Sequence, residues 1–306
     1  MSYNGRMHGE LIAYLNGQFL PYSQASLSLH DAGFVYGATV TDRLRTFCQR
    51  FFLLEEHLRR FRDSCELVAI PVQQAAPNLE SIASELLERN RRLLGTDGEL
   101  AVVMFATPGL LGALAGHAEN GPPTFGMHAF PLAFARFRKM FDEGARLVLS
   151  ERAIPSSCID PHIKHRSRLP WWLAEREAPV GAAPLLVTPG PRHLVRETPA
   201  ANFLAVCDGT VISPPRAAIL NGIGLSVVES LCGTLSIPFA ERELTAAELV
   251  ASPSECLLTN SSFCLAGVSE LASTRLPWPG PVWRQLLAAW SDLVSVDIAR
   301  QIRTNP

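Results

Sequence analysis

The stretch SSCIDPHIKHRSRLPWWLA, residues 156–174, contains Lys164, one of only two lysines among the 27 lysine and arginine residues of the chain. Arginine therefore serves almost everywhere that the chain needs a positive charge. A lysine amine, unlike a guanidinium, can lose its proton and attack a carbonyl carbon. The other lysine, Lys139 in FARFRKMFDEG, has no comparable setting. Lys164 is a candidate nucleophile, and the alternative is that both lysines are ordinary surface residues.

Composition limits the classes of function. The 306 residues, 47% of them hydrophobic, are enough for two domains with a large core. A formal net charge of -2 and a pI of about 6.5 argue against a nucleic-acid partner. No apolar run has the length of a membrane span and the N-terminus lacks signal-peptide features, so we expect a cytoplasmic protein with no membrane partner. The seven cysteines are scattered without a C-x-x-C pair, which predicts neither disulfides nor a metal site.

The first part of the chain alternates strand and helix signals. Asn16-Gly17 between apolar residues predicts a hairpin. Residues 40–54 alternate like two strands joined by a turn, and residues 54–70 and 78–95 have apolar positions at helical spacing. The run ELAVVMFATPG, residues 99–109, predicts a buried strand.

A charged, irregular stretch at residues 132–142 is interpreted as a linker between domains 1–131 and 143–306. Beyond it, helices are predicted around residues 169–179, 224–235 and 279–296. Strand-like runs are ARLVLSERAIP, APLLVTPG, NFLAVCDG, GTVISPP and ECLLTNSS. The predicted fold class is α+β.

Three segments of the second domain are candidate parts of a binding site, and two of them suit an anion. Glu197 lies between two strand-like runs, and ILNGIGLSVVESL places Gly222 and Gly224 at the start of a predicted helix. A helix start offers backbone N–H groups and a positive dipole end to a phosphate. The segment LLTNSSFCLAG adds hydroxyl and amide donors after a strand. Taken singly, each has a structural alternative: a helix cap, a solvated glutamate and a polar loop.

Together these residues resemble a known family. Lys164, Glu197, the Asn-Gly-Ile of residues 221–223 and Ser261 have the order and approximate spacing found in pyridoxal-phosphate enzymes of fold type IV. LSLHDAGFVYGATVTDRLRTF and LLEEHLRRFRDSCELVAIPV resemble the family's glycine-bearing strand and the helix with its phosphate-binding arginine. The family includes branched-chain and D-amino-acid aminotransferases, R-selective amine transaminases and aminodeoxychorismate lyases. The resemblance extends from about Tyr14 to about Gly267.

The resemblance implies a small N-terminal α/β sandwich domain and a larger C-terminal domain with a mostly β, barrel-like core. It also implies a homodimer with pyridoxal 5'-phosphate between the domains. Lys164 would form the Schiff base and move the α-proton, and Glu197 would keep the pyridine nitrogen protonated. Arg60 would bind the phosphate, with Arg59 as the rival candidate. The implied cofactor-binding residues are Arg60, Lys164, Glu197, Asn202, Ile223, Gly224 and Ser261.

Departures from the family pattern bear on the substrate. Branched-chain enzymes have a tyrosine five residues after the lysine, where this chain has Leu169, and their carboxylate-binding arginine near the central strand has no counterpart in residues 99–109. The Arg-x-His of D-amino-acid enzymes has no clear counterpart either, although His117 lies nearby. IKHRSRL, with His165 and Arg168, matches aminodeoxychorismate lyases.

We therefore predict an aminotransferase acting on an amino donor and a keto acid. The alternative is a lyase that eliminates pyruvate, and a third possibility is a non-catalytic cofactor-binding protein.

The strand VTDRLRTF carries a possible substitute for the missing arginine. Residues two apart in a strand share a face, so Thr41, Arg43 and Arg45 project together. We expect Arg43 to hold the substrate carboxylate. The alternative is a salt bridge from Arg43 to Asp42 or Asp31. The predicted substrate-binding residues are Tyr36, Thr41, Arg43, Arg45 and Asn260.

Overall fold

Two β-sheets with helices packed on them form the protein, described here by a computed structural model over residues 9–95, 98–251 and 255–305. The chain divides into an N-terminal unit of residues 1–132 and 163–167 and a C-terminal unit of residues 133–162 and 168–306. The predicted domains differ from these units at two places. Most of the expected linker 132–142 lies in a helix, Ala135–Glu143. Residues 163–167, assigned from the sequence to the second domain, group with the N-terminal unit.

One antiparallel sheet, in the order β2-β1-β6-β5-β3-β4, forms the centre of the N-terminal unit. Its strands are β1 (Ile12–Leu15), β2 (Gln18–Pro21), β3 (Val40–Phe47), β4 (Arg50–Phe51), β5 (Leu100–Thr107) and β6 (Thr124–Pro131). Its helices are α1 (Ala32–Val35), α2 (Leu54–Leu67), α3 (Val72–Ala75), α4 (Leu79–Arg91) and α5 (Gly112–Ala115), with a 3-10 turn at Tyr22–Gln24.

The local signals of this unit are confirmed. Asn16 and Gly17 adopt φ of 46° and 91°, and they join β1 to β2 with Leu15 opposite Gln18. Helices α2 and α4 cover one face of the sheet with residues at helical spacing, such as Leu58 and Phe61, which are 2% and 0% exposed. This face is the hydrophobic core of the unit, so the opposite face remains for other contacts.

A mixed sheet, in the order β11-β10-β9-β12-β13-β7-β8 with β14 beside β13, forms the centre of the C-terminal unit. Its strands are β7 (Ala145–Ser150), β8 (Ala183–Leu186), β9 (Asn202–Cys207), β10 (Thr210–Ser213), β11 (Phe239–Glu241), β12 (Glu255–Asn260), β13 (Cys264–Leu271) and β14 (Thr274–Arg275). Its helices are α6 (Ala135–Glu143), α7 (Leu169–Glu177), α8 (Ile223–Thr234), α9 (Ala246–Ala251), α10 (Pro281–Val294) and α11 (Ile298–Thr304), with a 3-10 turn at Arg216–Ala218.

Buried strands β9, β12 and β13 form the middle of this second sheet, and their apolar side chains make the core of the unit. The α+β class predicted from the sequence is confirmed, and this sheet is the predicted β core. Helix α8 begins near the end of β12, where a side chain on Gly224 would meet Thr259 and the backbone of Asn260. Polar groups of the helix start and of the β12–β13 turn are thus brought together.

Candidate active site

Lys164 lies in a short extended segment that continues the N-terminal sheet beside β3. The Thr41 N–H donates to the Lys164 carbonyl at 2.8 Å, and the Arg166 N–H donates to the Thr39 carbonyl at 2.9 Å. The Lys164 N–H also donates to Ser64 Oγ on α2, at 3.2 Å. The lysine backbone is therefore fixed by both a strand and a helix of the same unit.

The pairing of this segment determines which way its side chains project. Val40, which is 2% exposed in the core, stands directly opposite His165. Because side chains alternate along a strand, Lys164 and Thr41 project to the other side. The His165 ring accepts a bond from the Ser167 N–H at 3.1 Å, so it supports the local turn.

A buried charge cluster joins β3 to α2. Arg60 Nε donates to Asp42 Oδ2 and Arg60 Nη2 to Asp42 Oδ1, each at 2.8 Å, and His57 Nδ1 lies 2.8 Å from Asp42 Oδ1. Asp42 is fully buried, and Arg60 is 12% exposed. Although burial raises the pKa of Asp42, the charges of Arg60 and His57 hold it well below its usual range. Burial lowers the pKa of His57. Asp42 therefore fixes the orientation of Arg60, whereas Arg59, the rival candidate for the phosphate, is exposed.

The predicted substrate residues of β3 divide into two groups. Thr41 and Arg43 are half-buried, and the Arg43 guanidinium carbon lies 5.1 Å from the centre of the Phe130 ring. Arg45 is 2% exposed, donates to the Thr46 carbonyl and stacks 3.9 Å from the Phe47 ring centre. Because Arg45 is buried in the hairpin between β3 and β4, it is not accessible for the predicted contact with substrate.

The two acids considered as alternative partners of the Arg43 side chain have other partners. Asp42 binds Arg60 and His57, and it accepts a bond from the backbone N–H of Arg43. Asp31 caps α1 through the Gly33 N–H at 2.7 Å and accepts from Thr124 Oγ1 at 2.8 Å. Tyr36, at the end of α1, is 71% exposed.

Glu197 of the C-terminal unit has both carboxylate oxygens held in place. Asn202 Nδ2 donates to its Oε2 at 2.8 Å, and the Leu220 N–H donates to its Oε1 at 3.2 Å. The same Asn202 amide also donates to the Leu220 carbonyl at 2.9 Å. Asn202 therefore fixes Glu197 to the segment that leads into α8. Arg168 donates to the Pro199 carbonyl at 2.7 Å. Burial lowers the pKa of Arg168, although the charges of Glu175 and Glu197 act to raise it.

The start of α8 and the β12–β13 turn supply the other predicted cofactor residues. Gly222 caps α8, and the helix begins at Ile223. Ser261 lies half-buried in the turn. Asn260, expected to bind substrate, instead braces this turn: its Oδ1 accepts from the N–H groups of Ser262 and Phe263, and its Nδ2 donates to the Ala200 carbonyl at 2.9 Å.

Gly222→Ala should disrupt the C-terminal part of the site. A Cβ at this position would lie 1.8 Å from Asn202 Oδ1, so Asn202 would have to move and release Glu197. We expect the affinity for pyridoxal phosphate to fall by about tenfold or more, because one or two hydrogen bonds to a charged group are lost. Fluorescence titration with the cofactor measures this. Gly233→Ala, in the helix that Gly222 caps and with nothing within 4 Å of its added Cβ, is the matched control and should leave the affinity unchanged. Equal losses in both variants would contradict the explanation.

The described residues show no feature of a metal site or of a membrane span. No group of three or more His, Cys, Asp or Glu side chains that could hold a metal ion occurs in residues 9–95, 98–251 and 255–305. Within the same ranges, no helix has both the length and the apolar character needed to cross a membrane.

Comparison with known proteins establishes the class of the protein. The family model for class IV aminotransferases matches residues 39–271, so the chain belongs to that family and is an enzyme of that type. The D-alanine aminotransferase of Staphylococcus epidermidis is 26% identical over 252 residues, covering 81% of this chain and 85% of that protein.

Solved structures of branched-chain aminotransferases share the fold. The Escherichia coli enzyme has a TM-score of 0.80 at 19% identity, covering 94% of this chain and 95% of that one. The Thermoproteus uzoniensis enzyme with norvaline has a TM-score of 0.81 at 20% identity, covering 94% and 96%. The fold is therefore that of the fold type IV aminotransferases, as predicted.

Class IV aminotransferases use pyridoxal phosphate, and the residues present fit that group. The cradle is formed by glycine: a Cβ on Gly224 would lie 2.6 Å from Thr259 Oγ1, so only glycine lets the first turn of α8 approach β12 this closely. The N–H groups of a first helical turn have no partner within the helix and suit a phosphate. Glu197, in the same unit as this cradle, has an oriented carboxylate. The N-terminal unit contains Lys164, whose amine has the chemistry to react with the cofactor aldehyde.

Proposed function

We propose that the protein transfers an amino group from an amino acid or amine to a keto acid, with Lys164 as the residue that binds the cofactor aldehyde and moves the substrate proton. The position of Lys164 carries the proposal, because both its N–H and its carbonyl are held by the N-terminal unit. A base with a fixed backbone can return a proton to a defined atom. When bound, pyridoxal phosphate supplies the electron sink that makes loss of the α-proton possible.

The remaining residues bind and orient. Glu197, held by Asn202 and the Leu220 N–H, places a negative charge for the pyridine nitrogen. Arg60 offers its positive charge to the phosphate while Asp42 fixes its orientation. The N–H groups of Ile223 and Gly224 and the hydroxyl of Ser261 complete the proposed phosphate site. Arg43 anchors the substrate carboxylate, and Thr41 lines the same side of β3.

A lyase that eliminates pyruvate is the second candidate. The segment IKHRSRL, which contains Arg168, matches aminodeoxychorismate lyases and favours this candidate. The Arg168 side chain donates to the Pro199 carbonyl, so it has a fixed position. The homodimer implied by the family resemblance and a cytoplasmic location also belong to the proposal. An odd number of scattered cysteines supports a reducing compartment.

Absorption spectra of the purified protein test the proposal. The protein is mixed with pyridoxal phosphate, and L-amino acids, D-amino acids and amines are then added one at a time. We expect a visible band that disappears with at least one donor and returns with a keto acid. A band that no donor removes, together with pyruvate release from aminodeoxychorismate, would favour the lyase; a band with neither reaction would favour a non-catalytic binder. Absence of any band would overturn the cofactor roles.

A further inference from the structure

A tight turn of residues 198–201 connects Glu197 to Asn202, which pair with each other across it. We call these four residues the carbonyl turn. The Thr198 N–H donates to the Ala201 carbonyl at 2.9 Å, and Thr198 Oγ1 accepts from the Ala201 N–H at 2.9 Å. These bonds set the shape of the turn. Its position in the C-terminal unit depends on contacts with other elements.

Two side chains from distant parts of the chain bind successive carbonyls of this turn. Arg168 Nη2 donates to the Pro199 carbonyl at 2.7 Å, and Asn260 Nδ2 donates to the Ala200 carbonyl at 2.9 Å. The bond from Arg168 has a charged donor, and such bonds are stronger than those between neutral groups. The carbonyl turn is therefore held both from the start of α7 and from the end of β12.

Arg168 is itself fixed where it binds the turn. It immediately precedes α7, and its carbonyl accepts from the Trp172 N–H at 2.8 Å. Its Cζ lies 4.8 Å from the Trp171 ring centre, a contact that orients the guanidinium. Burial lowers the pKa of Arg168, but the charges of Glu175 and Glu197 act to raise it, so the charges of Arg168 and Glu197 interact.

Asn260 links the carbonyl turn to the β12–β13 turn. Its Oδ1 accepts from the N–H groups of Ser262 and Phe263 at 2.8 and 3.0 Å, while its Nδ2 donates to Ala200. Both ends of one planar amide are thus in use. Ser261, a proposed phosphate ligand, lies in the turn that this amide braces. A shift of either turn would therefore be passed to the other.

We propose that Arg168 and Asn260 are positioning residues that hold Glu197 in place for the pyridine nitrogen of the cofactor, by binding the two carbonyls of the carbonyl turn. This inference rests on the proposed function, in which the carboxylate of Glu197 keeps that nitrogen protonated. The interaction between two charges weakens with distance, so the carboxylate must be close and fixed to have this effect. Neither positioning residue needs to touch the cofactor.

Arg168→Met tests the first contact, because methionine keeps an unbranched side chain beside Trp171 but has no donor. We expect kcat for amino transfer to fall roughly tenfold and KM for the amino donor to change less than about twofold, since a small misplacement affects the transition state rather than substrate binding. The visible circular dichroism of the bound cofactor should also weaken, because that signal requires a fixed asymmetric environment. Arg168→Lys keeps a charged donor and should retain most of the kcat.

Arg176→Met is the matched control for this substitution. Arg176 also lies on α7, and its Cζ is 5.6 Å from the Trp172 ring centre, but it is exposed and distant in sequence from the turn. We expect the control to change neither kcat nor the circular dichroism. Equal losses in Arg168→Met and Arg176→Met would overturn the inference.

Asn260→Ser tests the second contact. Serine keeps an acceptor for the N–H groups of the β12–β13 turn, but its side chain ends one bond short of the nitrogen that donates to Ala200. We expect kcat and the affinity for pyridoxal phosphate each to fall by about 3- to 10-fold, because one hydrogen bond that links both turns is lost. Asn78→Ser is the control, since serine caps a helix as well as the asparagine that starts α4, and it should change neither. An unchanged kcat in Asn260→Ser would remove Asn260 from the inference.

A double variant tests whether Arg168 acts through Glu197. Glu197→Gln removes the charge that the turn is proposed to position. In that background we expect Arg168→Met to lower the remaining kcat by less than about twofold, because coupled residues do not have additive effects. A tenfold loss in both backgrounds would mean that Arg168 acts independently of Glu197 and would overturn the inference.

Hydrogen exchange separates this inference from the proposed function. On the cofactor-loaded protein, we expect the amides of Thr198 and Ala201 to exchange at least about tenfold faster in Arg168→Met and in Asn260→Ser. If exchange is unchanged while the native protein transfers amino groups, the inference fails and the function stands. If exchange rises but Glu197→Gln keeps full kcat, the proposed role of Glu197 fails, and the two residues hold the turn for stability alone.

Discussion

Lys164→Ala should abolish amino transfer while the protein still folds. The variant loses the amine that binds the cofactor aldehyde and the base that moves the substrate proton, and loss of a positioned base alone costs about 10²- to 10⁴-fold in rate. The backbone bonds that hold the segment, to Thr41 and Ser64, do not involve the side chain and should remain. Steady-state kcat and the visible spectrum measure the effect.

Two further variants make this prediction specific. Lys139→Ala removes the only other lysine, a residue of α6 whose side chain is 73% exposed beside Glu143, and it should keep full activity. Lys164→Arg keeps the positive charge but cannot lose its proton at accessible pH, so it should be as inactive as the alanine variant. Substantial activity in Lys164→Arg would show that only the charge is needed and would remove Lys164 from catalysis.

Features of the fold that depend on neighbouring residues in the chain were predictable. The Asn16-Gly17 hairpin follows from two residues that tolerate positive φ, and α4 starts at the predicted position because the Asn78 side chain accepts a bond from the Ser81 N–H. The α+β class follows from such signals taken in order. These interactions are local, so the sequence contains all the information they need.

Strands β6 and β13 were not predicted, and both contain a glycine that interrupts the apolar pattern. A Cβ on Gly126 would lie 2.4 Å from the Phe105 ring, and one on Gly267 would lie 2.3 Å from the Trp278 ring. Each glycine makes room for an aromatic ring distant in the chain. A single sequence cannot distinguish such a glycine from a turn residue, because the ring that requires it is not nearby.

The candidate site was predicted in part for the same reason. Alternation along β3 correctly separated Asp42 from Thr41 and Arg43, but it could not show that Asp42 holds Arg60 on α2, or that Arg45 is buried against Phe47. That Arg43, His128 and Arg166 project to one side of the sheet was not predicted, because it follows only from the pairing of β3 with β5, of β5 with β6, and of β3 with the lysine segment. Spacing in sequence does not reveal these pairings.

Asp42→Asn should both destabilise the protein and weaken cofactor binding. Asp42 is fully buried and accepts bonds from Arg60 and His57, so removing its charge leaves a poorly compensated guanidinium at this position. Loss of one partner of a buried ion pair typically costs about 3–5 kcal/mol of unfolding free energy. Since the pKa of Asp42 is held below its usual range, this stabilisation is present at pH above about 4 and is lost as the pH falls further. Urea unfolding at pH 7 and at low pH should show a difference between native and variant protein only at pH 7.

Arg60→Met in the Asp42→Asn background separates stability from function. Removing the second charge should recover part of the lost unfolding free energy, because the uncompensated guanidinium is gone. Cofactor affinity should not recover, since Arg60 is the proposed phosphate ligand. Asp63→Asn, an exposed acid on the same helix, controls for charge alone and should change unfolding by less than about 0.5 kcal/mol. If affinity recovered together with stability in the double variant, Asp42 and Arg60 would be purely structural and the phosphate would have to be held by the start of α8 and Ser261.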